Sequence, residues 1–134
     1  MVFKDFAHSP SKVAATTKAV KEQYPEKKVI ACLELHTYSS LNSEFLKEYK
    51  NALDSADVAA VYFSPEAVQN KRLESISSEQ IFNAFQRKDL KIFTNAEDFQ
   101  QFLKSLEFNQ TVLLLMSSGN YGGLDFEEVK EWVN

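Results

Sequence analysis

Chemistry has few places to sit in this chain. Its histidines are His8 and His36, its one cysteine is Cys32, and its three glycines, Gly119, Gly122 and Gly123, crowd into a single short stretch. Asp5-Phe6-Ala7-His8-Ser9-Pro10 sets a carboxylate and an imidazole just ahead of a helix start, with Ser9 as N-cap and Pro10 as first helical residue. A helix N-terminus offers unpaired N–H groups and a positive partial charge, which suit a phosphate or a carboxylate. His8 can add a donor or acceptor to a nucleotide's ribose or phosphate, and Asp5 can accept from a ribose or a cationic side chain. The same residues also make an ordinary capped helix with a histidine satisfied by backbone groups. On composition alone that plainer reading leads.

Two further segments carry polar groups in unusual density. Leu35-His36-Thr37-Tyr38-Ser39-Ser40-Leu41-Asn42 is rich in hydroxyls. It is either a polar wall for a ligand or a set of caps for the next helix, and capping is the commoner use of such residues. Ser117-Ser118-Gly119-Asn120-Tyr121-Gly122-Gly123 holds every glycine of the chain. Glycine permits positive φ and close backbone approach, and loops on a rigid scaffold often bind ligands. The segment is neither G-x-G-x-x-G nor a Walker loop, so ligand binding and a simple need for special dihedrals weigh equally.

Other chemistries are poorly supplied. Two histidines and one cysteine cannot make a zinc site of the usual His and Cys kind. Cys32 sits in the apolar run Val29-Ile30-Ala31-Cys32-Leu33, where a thiol is a small buried hydrophobe rather than an exposed thiolate. Glu127, Glu128 and Glu131 read as a solvated helix face. The aromatic pairs Phe99/Phe102 and Phe126/Trp132 read as core.

The elements that must position these groups alternate. Residues 2–7 form a short apolar strand, and a helix runs from Pro10 to about Tyr24, since Pro25 disfavours helix before it. Val13, Thr16, Val20 and Tyr24 share one face of that helix by spacing. Residues 28–35 and 58–63 are continuous apolar runs, the pattern of strands buried on both faces. Between them Phe45, Leu46, Tyr49 and Leu53 repeat with helical period. Residues 65–75 are ambiguous between a short helix and an irregular segment. Ser77 with Gln80 forms a capping box for a helix carrying Ile81, Phe82 and Phe85. Residues 91–93 are a short strand, and Asn95 with Asp98 opens a helix bearing Phe99, Phe102, Leu103 and Leu106. Residues 111–116 are the strongest strand, and Asp125 with Glu128 opens a last helix with Val129, Trp132 and Val133. Strand and helix in alternation predict a three-layer Rossmann-like α/β domain: a mostly parallel sheet of about five to six strands with helices on both faces. In such a sheet ligands gather at the carboxyl ends of strands, where all three polar segments fall.

The 134 residues predict a single domain over 1–134. Fifteen basic against nineteen acidic side chains leave a formal charge of −4, no footprint for nucleic acid and no attraction to an anionic membrane. The longest apolar run, residues 112–116, is too short to span a bilayer. A lone buried cysteine and an N-terminus without a long apolar region predict a cytoplasmic protein.

At the three polar segments the chain resembles the C-terminal domain of the Mur ligases, closest to their murein tripeptide ligase branch (UDP-N-acetylmuramate:L-alanyl-γ-D-glutamyl-meso-diaminopimelate ligase). Asp5-Phe6-Ala7-His8-Ser9-Pro10 looks like the family's Asp-Tyr/Phe-Ala-His-x-Pro. Leu33-Glu34-Leu35-His36 falls where the family's second strand ends. Leu115-Met116-Ser117-Ser118-Gly119-Asn120-Tyr121-Gly122-Gly123 resembles the branch's Met-Ser-Asn-Gly-x-Phe-x-Gly. Ala56-Asp57 fits the family's Ala-Asp before strand three.

The resemblance implies a fragment of a three-domain enzyme that phosphorylates a carboxylate with ATP and Mg²⁺, then joins it to an amine through an acyl phosphate. By that likeness Asp5 and His8 are nucleotide-facing or hinge residues. His36, Thr37, Tyr38 and Ser40, with Ser117, Ser118, Gly119, Asn120 and Tyr121, border the pocket for the amino component. The amino component implied is L-Ala-γ-D-Glu-meso-diaminopimelate, joined to UDP-N-acetylmuramate. The N-terminal and central domains of the same enzyme are the implied partners. No Gly-Lys-Thr/Ser loop is present, so ATP and Mg²⁺ are expected only in the full-length enzyme, with none bound by this domain alone and no complete catalytic set. Related enzymes carry arginine in the second segment, where this chain has His36, Thr37, Tyr38 and Ser40, so a bidentate carboxylate clamp is missing. Two other readings stand beside this one: a UDP-N-acetylmuramate–L-alanine ligase domain, and a non-enzymatic α/β module that binds a small anion.

Overall fold

The computed structural model describes residues 1–35, 43–64 and 77–133. Among these residues five strands form one parallel sheet: β1 (Val2–Asp5), β2 (Lys28–Glu34), β3 (Val58–Tyr62), β4 (Lys91–Phe93) and β5 (Thr111–Met116). Their spatial order is β1-β5-β2-β3-β4, so the last strand is inserted between the first two. The central strands are apolar without alternation because both sheet faces are covered. In β2, Val29, Ala31 and Leu33 enter one core, while Ile30 and Cys32 enter the other.

Helices α1 (Pro10–Gln23), α2 (Ser43–Leu46, continued by a 3₁₀ turn at Lys47–Tyr49) and α3 (Ser78–Phe85) cover the first face through Val13, Leu46, Tyr49, Ile81 and Phe85. Helices α4 (Ala96–Ser105) and α5 (Phe126–Val133) cover the second through Phe99, Leu103, Val129 and Val133. The connections leaving β1 and β2 therefore run to one face and the connection leaving β5, between them, runs to the other. That divergence marks the carboxyl edge beside β5 as a topological switch point, the usual ligand position in such folds.

Local chemistry sets the element ends. Ser77 and Gln80 exchange both bonds of the capping box, at 2.8 and 3.1 Å. The Asn95 side chain accepts from the amides of Glu97 and Asp98, and Asp125 accepts from Glu127 at 2.9 Å. Ser9 has N-cap dihedrals but makes no side-chain cap bond, so the start of α1 rests on Pro10. Thr17 rather than Thr16 lies fully buried on α1, because its hydroxyl is satisfied by the Val13 carbonyl at 2.7 Å. The helical period of Phe45, Leu46, Tyr49 and Leu53 belongs to a short helix that tightens into a 3₁₀ turn and then into further turns. Phe82 stands partly exposed instead of joining Ile81 and Phe85. The ambiguous segment 65–75 lies outside the described residues.

At the amino end of the sheet, Asp57 ties β2 to α1. Its carboxylate accepts from the Val29 amide at 2.7 Å and from Lys21 Nζ at 2.8 Å. Nearby, Arg87 donates to the carbonyls of Leu53 and Asp57.

Candidate functional site

Register brings the first and third polar segments to one edge. Asp5 lies opposite Met116 across β1 and β5, and Met116 lies opposite Leu33 across β5 and β2. The Ser117 amide continues the ladder by donating to the Asp5 carbonyl at 3.0 Å.

Beyond β1 the chain turns tightly. Asp5 Oδ1 accepts from the Ala7 amide at 2.7 Å, and His8 Nδ1 lies 2.7 Å from the Phe6 carbonyl. In the neutral ring with Nδ1 donating there, Nε2 is left as an acceptor. The buried Tyr49 donates its hydroxyl to the His8 carbonyl. These bonds bury Ala7 and leave the Phe6 ring 73% exposed. A shallow groove of about 310 Å³ runs past Asp5, Phe6, His8 and Lys12. A carboxylate, an imidazole, an ammonium and an aromatic face fit the edge of a nucleotide. One lysine at a groove cannot replace the backbone cradle that holds a triphosphate. Among the described residues no cluster of His, Cys, Asp and Glu could hold a metal ion.

The loop after β5 is built inward. Tyr121 is 1% exposed, stacked on Phe99 with centroids 5.0 Å apart. Its hydroxyl is shared between the Met116 carbonyl at 2.7 Å and the Cys32 carbonyl at 2.9 Å. Burial first, then the neighbouring Cys32 and Glu34, push its phenol well above the ordinary tyrosine range. To swing the ring inward, Tyr121 adopts φ +55° and Gly122 φ +72°. A Cβ on Gly122 would sit 2.6 Å from the Tyr62 hydroxyl oxygen. The Ser117 hydroxyl is buried too, donating to Glu34 Oε1 at 2.5 Å and accepting from the Gly119 amide at 2.7 Å. The loop presents Ser118, Asn120, Gly122 and Gly123 outward, with Gly119 part exposed.

The sequence expectation therefore divides. Asp5 and His8 line the groove after β1, and Ser118, Gly119 and Asn120 lie in the loop after the neighbouring β5, while the side chains of Ser117 and Tyr121 face the core, so only their backbone can border a ligand. His36, Thr37, Tyr38 and Ser40 lie outside the described residues. Sequence reasoning named Glu34 only within Leu33-Glu34-Leu35-His36 and gave it no role, yet it is 5% exposed and the only buried charged side chain among the described residues. The signal was a lone carboxylate ending the apolar run of β2. Cys32 is fully buried, and burial raises its thiol far beyond the range of a nucleophile.

These features define a parallel α/β domain whose loops after β1 and β5 leave adjacent strand ends. The chain belongs to the Mur ligase family: the model for the Mur ligase, glutamate ligase domain, matches residues 1–119. It is 33% identical over 126 residues to the UDP-N-acetylmuramate–L-alanine ligase of Chlorobaculum parvum, covering 90% of this chain and 26% of that protein. It is 30% identical over 124 residues to the ligase of the same name from Agathobacter rectalis, covering 89% and 26%. The chain thus spans about a quarter of the length of these relatives. Among solved structures it superposes on a murein peptide ligase from Psychrobacter arcticus with a TM-score of 0.74 at 18% identity, covering 99% of this chain and 27% of that one. A domain of a putative UDP-N-acetylmuramate:L-alanyl-γ-D-glutamyl-diaminopimelate ligase from Haemophilus ducreyi matches at 0.65 and 19% identity, covering 98% and 89%. These structural likenesses establish the fold. Among the described residues no helix is long and apolar enough to cross a membrane.

Proposed function

We propose that this chain is the C-terminal domain of a cytoplasmic, ATP-dependent ligase of peptidoglycan synthesis or recycling, working with N-terminal and central domains of the same polypeptide. Its task is to close over a nucleotide with the Asp5–His8 turn and to receive the amino component at the loop after β5. The full-length enzyme uses ATP and Mg²⁺ to convert a carboxylate of UDP-N-acetylmuramate into an acyl phosphate, which the amine then attacks. This chain contributes no phosphate-binding loop, so it binds, orients and closes.

The amino component we favour is L-Ala-γ-D-Glu-meso-diaminopimelate. The observation that carries this is the turn after β5, where the inward Ser117 and Tyr121 give a structural reason for two positions of the tripeptide-ligase-like motif. A second reading, with L-alanine as the amine, is favoured by the relatives at 30 to 33% identity.

The test is ligation by the full-length protein with UDP-N-acetylmuramate, ATP and Mg²⁺, offering the tripeptide or L-alanine, with phosphate release and product mass measured. Tripeptide product is expected. Turnover with L-alanine alone would establish the second reading, and phosphate release with neither would overturn both. The isolated chain should bind ATP–Mg²⁺ weakly; tight binding would point to a free-standing anion-binding module.

A further inference from the structure

Glu34 ends the central strand β2 and turns toward the same core as Ile30 and Cys32. There it meets the loop that leaves the neighbouring strand. Its Oε1 accepts from the Ser117 hydroxyl at 2.5 Å and from the Tyr121 amide at 3.0 Å. Ser117 Oγ in turn accepts from the Gly119 amide at 2.7 Å. One carboxylate oxygen therefore organises Ser117, Gly119 and Tyr121, the two sides of the turn that presents Ser118 and Asn120. Burying a carboxylate is costly unless its hydrogen bonds are supplied, and hydrophobic residues would hold β2 to β5 at less cost. Tyr121 also sits at positive φ, a conformation that an L residue keeps only when its surroundings enforce it. A buried charge that holds a strained loop at the carboxyl edge of the sheet is explained by a demand for fixed loop geometry.

We propose that Glu34 is a positioning residue for the amino component: by holding the turn 117–121 from beneath, it sets where Ser118, Asn120 and the exposed backbone meet the incoming substrate. This rests on the ligase reading above. The nucleotide-facing turn at Asp5–His8 has its own bonds, to Ala7, Phe6 and Tyr49, and meets the loop after β5 through the Ser117 amide on the Asp5 carbonyl. The effect should therefore fall mainly on one substrate.

The test compares the full-length enzyme with its Glu34→Leu, Glu34→Gln and Ser117→Ala variants. Loss of charge-assisted hydrogen bonds predicts that Glu34→Leu raises KM for the amino component about ten-fold, with KM for ATP and UDP-N-acetylmuramate nearly unchanged. Glu34→Gln keeps the Oε1 acceptor and should recover most of the effect. Ser117→Ala, which disturbs the core least, should move KM in the same direction. Hydrogen exchange of the peptide spanning 117–124 should speed up in Glu34→Leu and Ser117→Ala while β5 stays protected. Equal changes in all three KM values, or a lowered melting temperature with unchanged KM, would overturn the proposal. Wild-type loop exchange in the variants would also overturn it, and that readout needs no substrate. An enzyme that ligates neither amine would instead refute the functional reading.

Discussion

Gly122 and Tyr62 are in such close approach that a methyl group at the glycine would lie 2.6 Å from the tyrosine hydroxyl oxygen. Tyr62 is 4% exposed on β3 and packs against both Phe99 and Tyr121, so it has little room to retreat. Gly122→Ala therefore meets two penalties, positive φ and a clash. It should destabilise the domain by about 2–4 kcal/mol in urea unfolding. Gly123 has φ +100° but open space around its Cβ direction. Gly123→Ala should lose only the dihedral part, about 1–2 kcal/mol. Equal losses at the two positions would show that Tyr62 does not crowd the turn.

Asp57 supplies a pH signature. Partial burial works to raise its carboxyl, but the Lys21 hydrogen bond, the Val29 amide, and the charges of Lys21 and Arg87 outweigh it and hold it below the usual aspartate range. A folded value below the unfolded one of about 3.9 means the contribution is present above about pH 4 and lost as pH falls through the folded value. Asp57→Asn should be less stable than wild type at pH 7, and the gap should close on acidification below pH 4. Urea unfolding across that range measures it. A gap independent of pH would place the effect in packing.

The turn after β1 should separate activity from stability. His8→Ala removes an imidazole whose bond is to the nearby Phe6 carbonyl, and Asp5→Ala removes a local turn bond to Ala7. Neither side chain holds the core. On the proposed ligase function, each variant of the full-length protein should lower turnover about ten-fold or more by misplacing this domain, with a melting temperature within a few degrees of wild type. Normal kinetics in both would leave the turn as a helix start only.

The elements were legible because their signals are local. Val112 to Met116 is apolar at every position, Ser77 and Gln80 carry a reciprocal cap, and Pro25 stops α1, so each could be read from a few neighbouring residues. The Asp5–His8 turn was likewise visible as a motif. The directions of Ser117 and Tyr121 were not. In a glycine-rich loop nothing periodic tells inward from outward, and the inward turn depends on partners at Glu34, Phe99 and Cys32, far away in sequence. Glu34 was overlooked for the same reason: a carboxylate ending a strand looks solvated until the loop that covers it is in place.

By itself the sequence determined the alternation of strand and helix, the parallel sheet buried on both faces, and the kinship carried by the first and last motifs. These follow from short-range hydrophobic patterning and from residue types with narrow backbone preferences. Only the tertiary structure decided that β5 inserts between β1 and β2. That insertion sets Asp5 beside Met116 and Glu34 beneath Ser117, because hydrogen-bond register, not sequence distance, chooses which strand ends meet.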